Sequence, residues 1–509
     1  MNRRKFLKTS GTGVLAMTAF ANAKAAVSNK DKAAVPNKNK PNILFIVTDQ
    51  QFGEAMSCSM GTKYINTPAI DSLAANGVRF DRAYAANPLC TPSRTSMMTG
   101  LYPHESGIEI NFYGGEVKAK NFTCMGEAIS DGGYDAGYFG KWHVAPLAGK
   151  KSGFEMKSQG SDSIKTDALI EYISRDRDKP FFAVVSFLNP HDICAWPRGH
   201  RKKESQDPVG SAPAMKEYPP APVNLLPQTD EVDAITRYRT GLQKGLTFPV
   251  GDFKAEDWRQ HRWAYYRMVE KIDHEVSRIM KSVRSLGLEE NTVILFTSDH
   301  GECNGAHQYS GKVLLYEESS RVPMIISWKD KIKPQVCNKF VNTGIDTLPT
   351  VCDYAQVKPP AGLHGRSLVP LVNNTSKEWR DYVVVSNHAT LTGPVDGIDV
   401  TYRARMLRTD RFKYCLYNKG KHRESLVDME KDPHETVNLA RNPKYKKTLL
   451  QHRKLLQEYA KETKDTVALD MLKDDVPPIA HTKYNNDNPW YERREVPRIK
   501  KAALEKKKV

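Results

Sequence analysis

Asn42-Ile43-Leu44-Phe45-Ile46-Val47-Thr48 is a continuous apolar run rich in β-branched residues, and it stops at Asp49-Gln50-Gln51. A half-exposed strand would alternate polar and apolar residues, so this run reads as a strand buried on both faces in a parallel sheet. The pattern recurs. Pro180-Phe181-Phe182-Ala183-Val184-Val185-Ser186-Phe187-Leu188 delivers Asn189-Pro190-His191-Asp192, and Val293-Ile294-Leu295-Phe296-Thr297 delivers Ser298-Asp299-His300-Gly301-Glu302. Residues 134–139 form a strand candidate that delivers Gly140-Lys141-Trp142-His143, and a further one over 78–84 leads toward Cys90. Ligands in open α/β sheets gather at the carboxyl ends of strands, so each polar cluster stands where a site belongs.

Helices separate these strands. Thr67-Pro68-Ala69-Ile70-Asp71-Ser72-Leu73 carries a cap and a proline in the first turn, and the helix ends near Gly77. Residues 258–286 place Tyr265, Val269, Ile272, Val276, Ile279 and Val283 on one stripe before Gly287, which predicts a long core-facing helix. Alternating strands and helices predict an α/β fold with a doubly wound layer structure. Residues 198–257 are polar and proline-rich, and read as an insertion without a core of its own that could rim the site. Beyond residue 370 the pattern changes to short antiparallel strands at 382–386, 404–408 and 412–417. A helix with Tyr445, Leu449, His452, Leu456 and Tyr459 on one face follows. The division expected is a catalytic domain over 41–375 and a smaller α+β domain over 376–509.

Met1-Asn2-Arg3-Arg4-Lys5-Phe6-Leu7-Lys8 sets paired arginines before a mildly apolar stretch, and Ala-x-Ala sites follow at 21–25. Residues 1–25 therefore look like a twin-arginine export signal, with 26–40 as a polar linker. No other run is long and apolar enough to cross a bilayer. The net charge of +17 biases the protein toward polyanions, and the export signal favours an extracellular acidic polymer over nucleic acid. Part of that charge lies in a basic tail, residues 498–508. Eight scattered cysteines contain no C-x-x-C pair, which removes support for a zinc ribbon or a thioredoxin-like motif, though export would permit disulfides.

Cys90-Thr91-Pro92-Ser93-Arg94 precedes Thr95-Ser96-Met97-Met98-Thr99-Gly100. Proline followed by a helix-compatible run describes an exposed turn entering a helix, whose free N–H groups suit chemistry on an anion. This C-x-P-S-R element with its later Thr-Gly pair resembles the maturation signature of the type I, formylglycine-dependent sulfatases of the alkaline-phosphatase-like superfamily. The resemblance extends from residue 42 to about residue 460, through Gly-Lys-x-His, Asn-Pro-His, Asp-His-Gly, Gly-Lys and the Asp-Pro-x-Glu…Asn-Leu element at 432–439.

The resemblance implies a large mixed sheet flanked by helices and a C-terminal subdomain built on a short antiparallel sheet. It implies that a formylglycine-generating enzyme oxidises Cys90 and that the hydrated aldehyde attacks sulfur, giving a covalent sulfo-enzyme. Asp49, Gln50, Asp299 and His300, with residue 90, match the family's divalent-cation ligands. The ion expected is calcium, then magnesium or manganese, because Gln50 and His300 stand where many relatives have Asp and Asn. Lys141 and Lys312 match lysines that neutralise the sulfate oxygens. His191 is assigned as proton donor to the leaving alcohol and His143 as the group that helps expel sulfate, with the two roles exchangeable. Arg94 is expected to hold the modified residue. His307 and Tyr309 carry no assigned role, and a zinc site of Asp299, His300 and His307 would leave the Cys90 element unexplained. The implied activity is an exported, periplasmic sulfatase acting on a sulfated carbohydrate. Its rivals are a phosphonate monoester or phosphodiester hydrolase of the same fold and a polyanion-binding relative without turnover.

Overall fold

The first apolar run forms β1 (Asn42–Asp49), buried along its whole length. Its side chains alternate between two cores. Ile43, Phe45 and Val47 join one cluster, while Leu44 and Ile46 join another on the opposite face. The computed structural model describes residues 40–111, 117, 122–147, 151–157, 160–198, 209–244, 248–376, 378–473 and 480. The expected leader, the linker up to residue 39 and the basic run 498–508 lie outside the described residues.

The chain continues through β2 (Gly77–Phe80), β3 (Ala83–Tyr84), β4 (Asp135–Gly140), β5 (Glu155–Lys157), β6 (Phe181–Pro190), β7 (Thr292–Ser298), β8 (Met324–Ser327) and β9 (Gln335–Cys337). These form an eight-stranded mixed sheet in the order β5-β4-β6-β1-β7-β8-β2-β9, with β3 set apart. Strands β4, β6, β1 and β7 are neighbours and parallel, so their carboxyl ends share one edge. Among the described strands of this sheet, only β8 runs antiparallel to its neighbours. The segment expected as one strand over 78–84 is broken at Asp81-Arg82, where Arg79 pairs with Asp81 and Arg82 with Asp410. Its second half, β3, pairs instead with β10 (Val341–Asn342).

Helices α1 (Pro68–Ala75), α2 (Cys90–Thr99) and α3 (Asp162–Ile173) lie between the early strands. Against the face of Leu44 and Ile46 packs α5 (Ala255–Ser285), introduced by α4 (Asp233–Lys244). The α5 stripe buries Ile272, Val276, Ile279 and Val283 completely, each contributing about 1.5–3 kcal/mol by removal from water. Across the sheet, α2 lies against α6 (Thr343–Tyr354).

The antiparallel sheet has four strands, β11 (Tyr382–Ala389), β12 (Tyr402–Thr409), β13 (Phe412–Tyr417) and β14 (Glu424–Asp428). One face receives Leu449, Leu456 and Tyr459 of α7 (Lys446–Glu462). The other receives Ile235, Tyr238 and Leu242 of α4, together with Leu314 and Tyr316. The segment 198–257, expected to have no core of its own, lends its described helix to the core of the small sheet. The described part carries an apolar i, i+3, i+7 stripe, obscured in sequence by the arginines between its members, and it fills the joint behind the small sheet.

Candidate active site

Four strand ends supply most of the site. Asp49 closes β1, with Gln50 turning away at φ 73°; Lys141 follows β4, His191 follows β6, and Asp299-His300 follow β7. Cys90 opens α2, and Lys312 enters on the loop after Gly311, which is tied to the Cys90 loop by the Val313 N–H donating to Pro88 O at 3.0 Å. Gly311 has φ 95°, and a Cβ there would lie 2.7 Å from the Phe248 ring.

The structure brings the assigned residues together. Lys312 Nζ lies 3.1 Å from Cys90 Sγ, Lys141 Nζ 3.8 Å, His300 Nε2 3.1 Å and Asp49 Oδ1 3.9 Å. His143 and His191 also reach the thiol through side-chain hydrogen bonds. Cys90 itself is 1% exposed, which corrects the expectation of an exposed turn. The helix start is as expected, but the side chains from the strand ends close over it. All of α2 is buried despite its polar sequence; the Ser93 hydroxyl and the Arg94 guanidinium bond inside the site.

Arg94 sits beneath the centre as a clamp. Its Nε donates to Asp299 Oδ2 at 2.7 Å and its Nη2 to Asp49 Oδ2 at 3.1 Å, while Nη1 donates to Lys141 O and Ser186 Oγ. Lys141 also pairs with Asp49 Oδ2. The two carboxylates thus spend their Oδ2 atoms on cations and turn Oδ1 toward the thiol and His300, whose Nε2 is 3.8 and 3.5 Å from them.

Burial opposes the charged form of Cys90, Asp49, Lys312 and His191, and at the first three the neighbours outweigh it. For Cys90, burial raises the thiol, but Lys141, Lys312 and His300 outweigh it and hold it well below its ordinary range. Burial and the Cys90 charge push Asp49 up, and Lys141, His191 and Arg94 together bring it far below the usual carboxylate range. Burial opposes the Lys312 ammonium, yet Cys90, Cys194, Asp49 and Asp299 keep it above its usual value. Burial, then Lys312, lowers His191 to about 4, so its imidazole is neutral in the free site near pH 7.

A cation fits these donors. Among the described residues, Asp49, Cys90, Asp299 and His300 form a group whose ligand atoms all lie within 4.8 Å of one another. His300 Nδ1 bonds the Gly301 carbonyl at 2.9 Å, which places the proton on Nδ1 and leaves the Nε2 lone pair for a ligand. His307 stands elsewhere, stacked on Tyr316 at 3.9 Å and beside Asn224, and Tyr309 donates to Ile235 O. A zinc site including His307 is therefore not assembled.

Residues without a sequence assignment complete the frame. Tyr265 of α5 donates to Gln50 O at 2.8 Å, Ser93 donates to Asp299 O at 2.5 Å, and Asn111 Oδ1 accepts from the Thr91 N–H at 2.8 Å. Glu302 and Cys194 flank the Gln50 amide. Two of these had a signal in sequence: Ser93 in the Cys-x-Pro-Ser-Arg element, and Glu302 three residues after Asp299 in the loop that follows β7.

Carboxylates and a nucleophile gathered over a helix start, at the edge of a mixed α/β sheet, define a hydrolase of the alkaline-phosphatase-like class. The sulfatase family model matches residues 41–357, and the model described as N-sulphoglucosamine sulphohydrolase, C-terminal, matches 305–462. The chain belongs to the sulfatase family and is a sulfuric ester hydrolase. It is 29% identical to a Delta 4,5-hexuronate-2-O-sulfatase of Bacteroides thetaiotaomicron, over 91% of this chain and 97% of that one. It is likewise 29% identical to an ulvan-active sulfatase of Formosa agariphila, over 82% and 81% of the two chains. The solved structure of a 2-O GAG sulfatase superposes with a TM-score of 0.73 at 28% identity, covering 88% of this chain and 98% of that one.

Proposed function

We propose that this protein is an exported sulfatase that removes sulfate from a sulfated carbohydrate, a polysaccharide or its oligosaccharides, using formylglycine at residue 90 and a divalent cation. One observation carries the reading: residue 90 begins a buried helix and faces two ammonium groups, at 3.1 and 3.8 Å, in a pocket arranged for an anion. The carbohydrate is supported by the relatives, whose names specify a hexuronate 2-O-sulfate, ulvan and a glycosaminoglycan. The paired arginines near the N-terminus support export to the periplasm, and Cys90-x-Pro-Ser-Arg supports conversion by a formylglycine-generating enzyme.

Asp49, Gln50, Asp299 and His300 would hold the cation; three oxygen donors to one imidazole suit calcium first, then magnesium or manganese. Formylglycine would supply a hydrated aldehyde as nucleophile, and the cation would lower its pKa and polarise the sulfate. Lys141 and Lys312 bind the sulfate oxygens and neutralise the charge that moves during transfer. Arg94 holds both carboxylates by their Oδ2 atoms so that their Oδ1 atoms lie toward residue 90. His191 holds the proton for the leaving alcohol oxygen, taking it up as the substrate anion offsets the field of the two lysines, and His143 accepts a proton from the residue 90 side chain.

The test is release of inorganic sulfate from sulfated mono- and disaccharides, measured beside phosphonate monoesters and phosphodiesters. A higher kcat/KM on a carbohydrate sulfate is expected. A preference for the phosphorus esters, or salt-sensitive binding of sulfated polymers with no turnover by the modified protein, would overturn the reading.

A further inference from the structure

Gln50 is an unusual choice for a buried cation ligand, because an amide can present either its carbonyl oxygen or its NH2 group, and only the oxygen binds a cation. Its surroundings remove that ambiguity. On one side, Gln50 Oε1 accepts from Lys312 Nζ at 2.8 Å, and Lys312 Nζ is itself 3.1 Å from Cys90 Sγ. On the other, Gln50 Nε2 donates to Glu302 Oε2 at 2.5 Å, while Cys194 Sγ lies 3.0 Å from Nε2 and 3.3 Å from Oε1 and so favours neither orientation. An ammonium has no acceptor and a carboxylate no donor, so reversing the amide would set two donors together on one side and two acceptors on the other.

Glu302 is in turn fixed. It is fully buried, and its Oε1 accepts the N–H groups of Gly311 at 2.6 Å and Asn304 at 3.1 Å. These backbone donors sit on the loop that carries Lys312, so the groups that orient the two ends of the amide belong to one segment. With Oε1 committed to two N–H groups, only Oε2 is directed at Gln50, and it can only accept.

We propose that Glu302 is a positioning residue that locks the Gln50 amide with its carbonyl oxygen toward residue 90 and the cation ligands. The negative charge missing from position 50 is thereby present one residue further out, where it orients the ligand instead of serving as one. The inference rests on the cation site proposed above and adds a requirement to it: the acid at 302 and the amide at 50 work as a matched pair.

Glu302→Gln separates the two roles of the acid. The amide introduced at position 302 must still give an oxygen to Gly311 and Asn304, so its NH2 group takes the place of Oε2 and faces Gln50. Gln50 can then answer only by turning its own oxygen outward, which leaves its NH2 group toward the cation. The reciprocal exchange, Gln50→Glu with Glu302→Gln, restores an acceptor facing a donor and keeps an oxygen toward the site.

The measurement is calorimetric titration of calcium into the full-length matured protein after stripping with a chelator, with thermal unfolding of each variant. E302Q is expected to bind calcium about tenfold or more weakly, and the double exchange to recover most of that loss. A purely structural role for Glu302 would show as lost thermal stability that the change at position 50 does not repair. E302Q binding calcium as the wild type does, or a folded double variant binding no better than E302Q, would overturn the proposal while leaving the cation site standing. A wild type that binds no divalent cation would overturn both.

Discussion

Among the described residues several clusters of charge are buried, and two of them, at the joint with the small sheet and at residue 90, differ in what their oxygens face. At the joint with the small sheet, Lys413 Nζ meets Glu435 Oε1 at 2.8 Å and Glu317 Oε1 at 3.3 Å, while Tyr84 donates to Glu317 Oε2 at 2.8 Å. Glu435 Oε2 accepts the Glu317 N–H at 2.7 Å. Each of these contacts closes on another protein group. In the catalytic cluster, Arg94 and Lys141 take one oxygen from each carboxylate or from Asp49 alone, and the remaining oxygens converge with His300 Nε2 on residue 90. Burial and charge density are alike in the two clusters. What separates the site from the structural tie is where the carboxylate oxygens not held by cations point: Asp49 Oδ1 and Asp299 Oδ1 lie with His300 Nε2 around residue 90, although Asp299 Oδ1 also accepts the Gln50 and His300 N–H groups.

That contrast can be broken by removing one centre from each cluster. Cys90→Ala should abolish sulfate release, by about 10⁴-fold or more in kcat, while the urea midpoint moves by less than the equivalent of about 1 kcal/mol. Lys413→Met should do the reverse. It leaves Glu317 and Glu435 buried without their ammonium, which costs about 3–5 kcal/mol in urea unfolding, with kcat per folded molecule nearly unchanged. A large loss of turnover in folded K413M would show that the joint takes part in the reaction.

Metal removal sharpens the same distinction. If the catalytic cluster holds a cation at saturating calcium, chelation should remove about 2–4 kcal/mol of stability, following the ratio of free ion to its dissociation constant. The increment should be the same in K413M, because that substitution lies in the closed cluster. A calcium increment lost with K413M would mean that the two clusters are coupled.

The smallest effect is in pH dependence. Burial, together with Glu317 and Glu318, outweighs Lys413 and raises Glu435 to about 7, while Glu317 is held to about 2 against its own burial by Lys413, Arg408 and Arg321. Glu435 thus keeps a proton in the folded state that the unfolded chain has already lost above its ordinary value of 4.5. Stability should therefore fall as pH rises from about 5 to about 8. Relative to Glu435→Gln, the wild type should lose about 1–3 kcal/mol over that window in urea unfolding at fixed salt. A wild type that gains on E435Q with rising pH would reverse the assignment.

The sequence was most legible where burial is two-sided. β1, β6 and β7 are unbroken apolar runs, so their existence, and the polar residues at their ends, could be read directly, and the parallel sheet gathers those ends without further information. β8 is four residues long, too short for its antiparallel direction to be marked. α4 was missed because Arg237 and Arg239 interrupt its apolar stripe. The burial of Cys90 was illegible for a different reason. Cys-Thr-Pro-Ser-Arg-Thr-Ser has no hydrophobic period, and it is buried because the residues that satisfy it, Asp49, Asn111, Asp299 and Ser186, come from distant segments. Glu302 lay in plain view beside Asp299, but only the 2.5 Å contact with Gln50 gives it a task.

The most direct test is the mass of the peptide containing Cys90, taken from protein purified out of its own host grown on a sulfated polysaccharide. The account predicts the mass of formylglycine, with the thiol-bearing carbon oxidised to an aldehyde and its sulfur lost, in the molecules that release sulfate. An intact thiol at residue 90 in protein that turns over sulfate esters at full rate would contradict it.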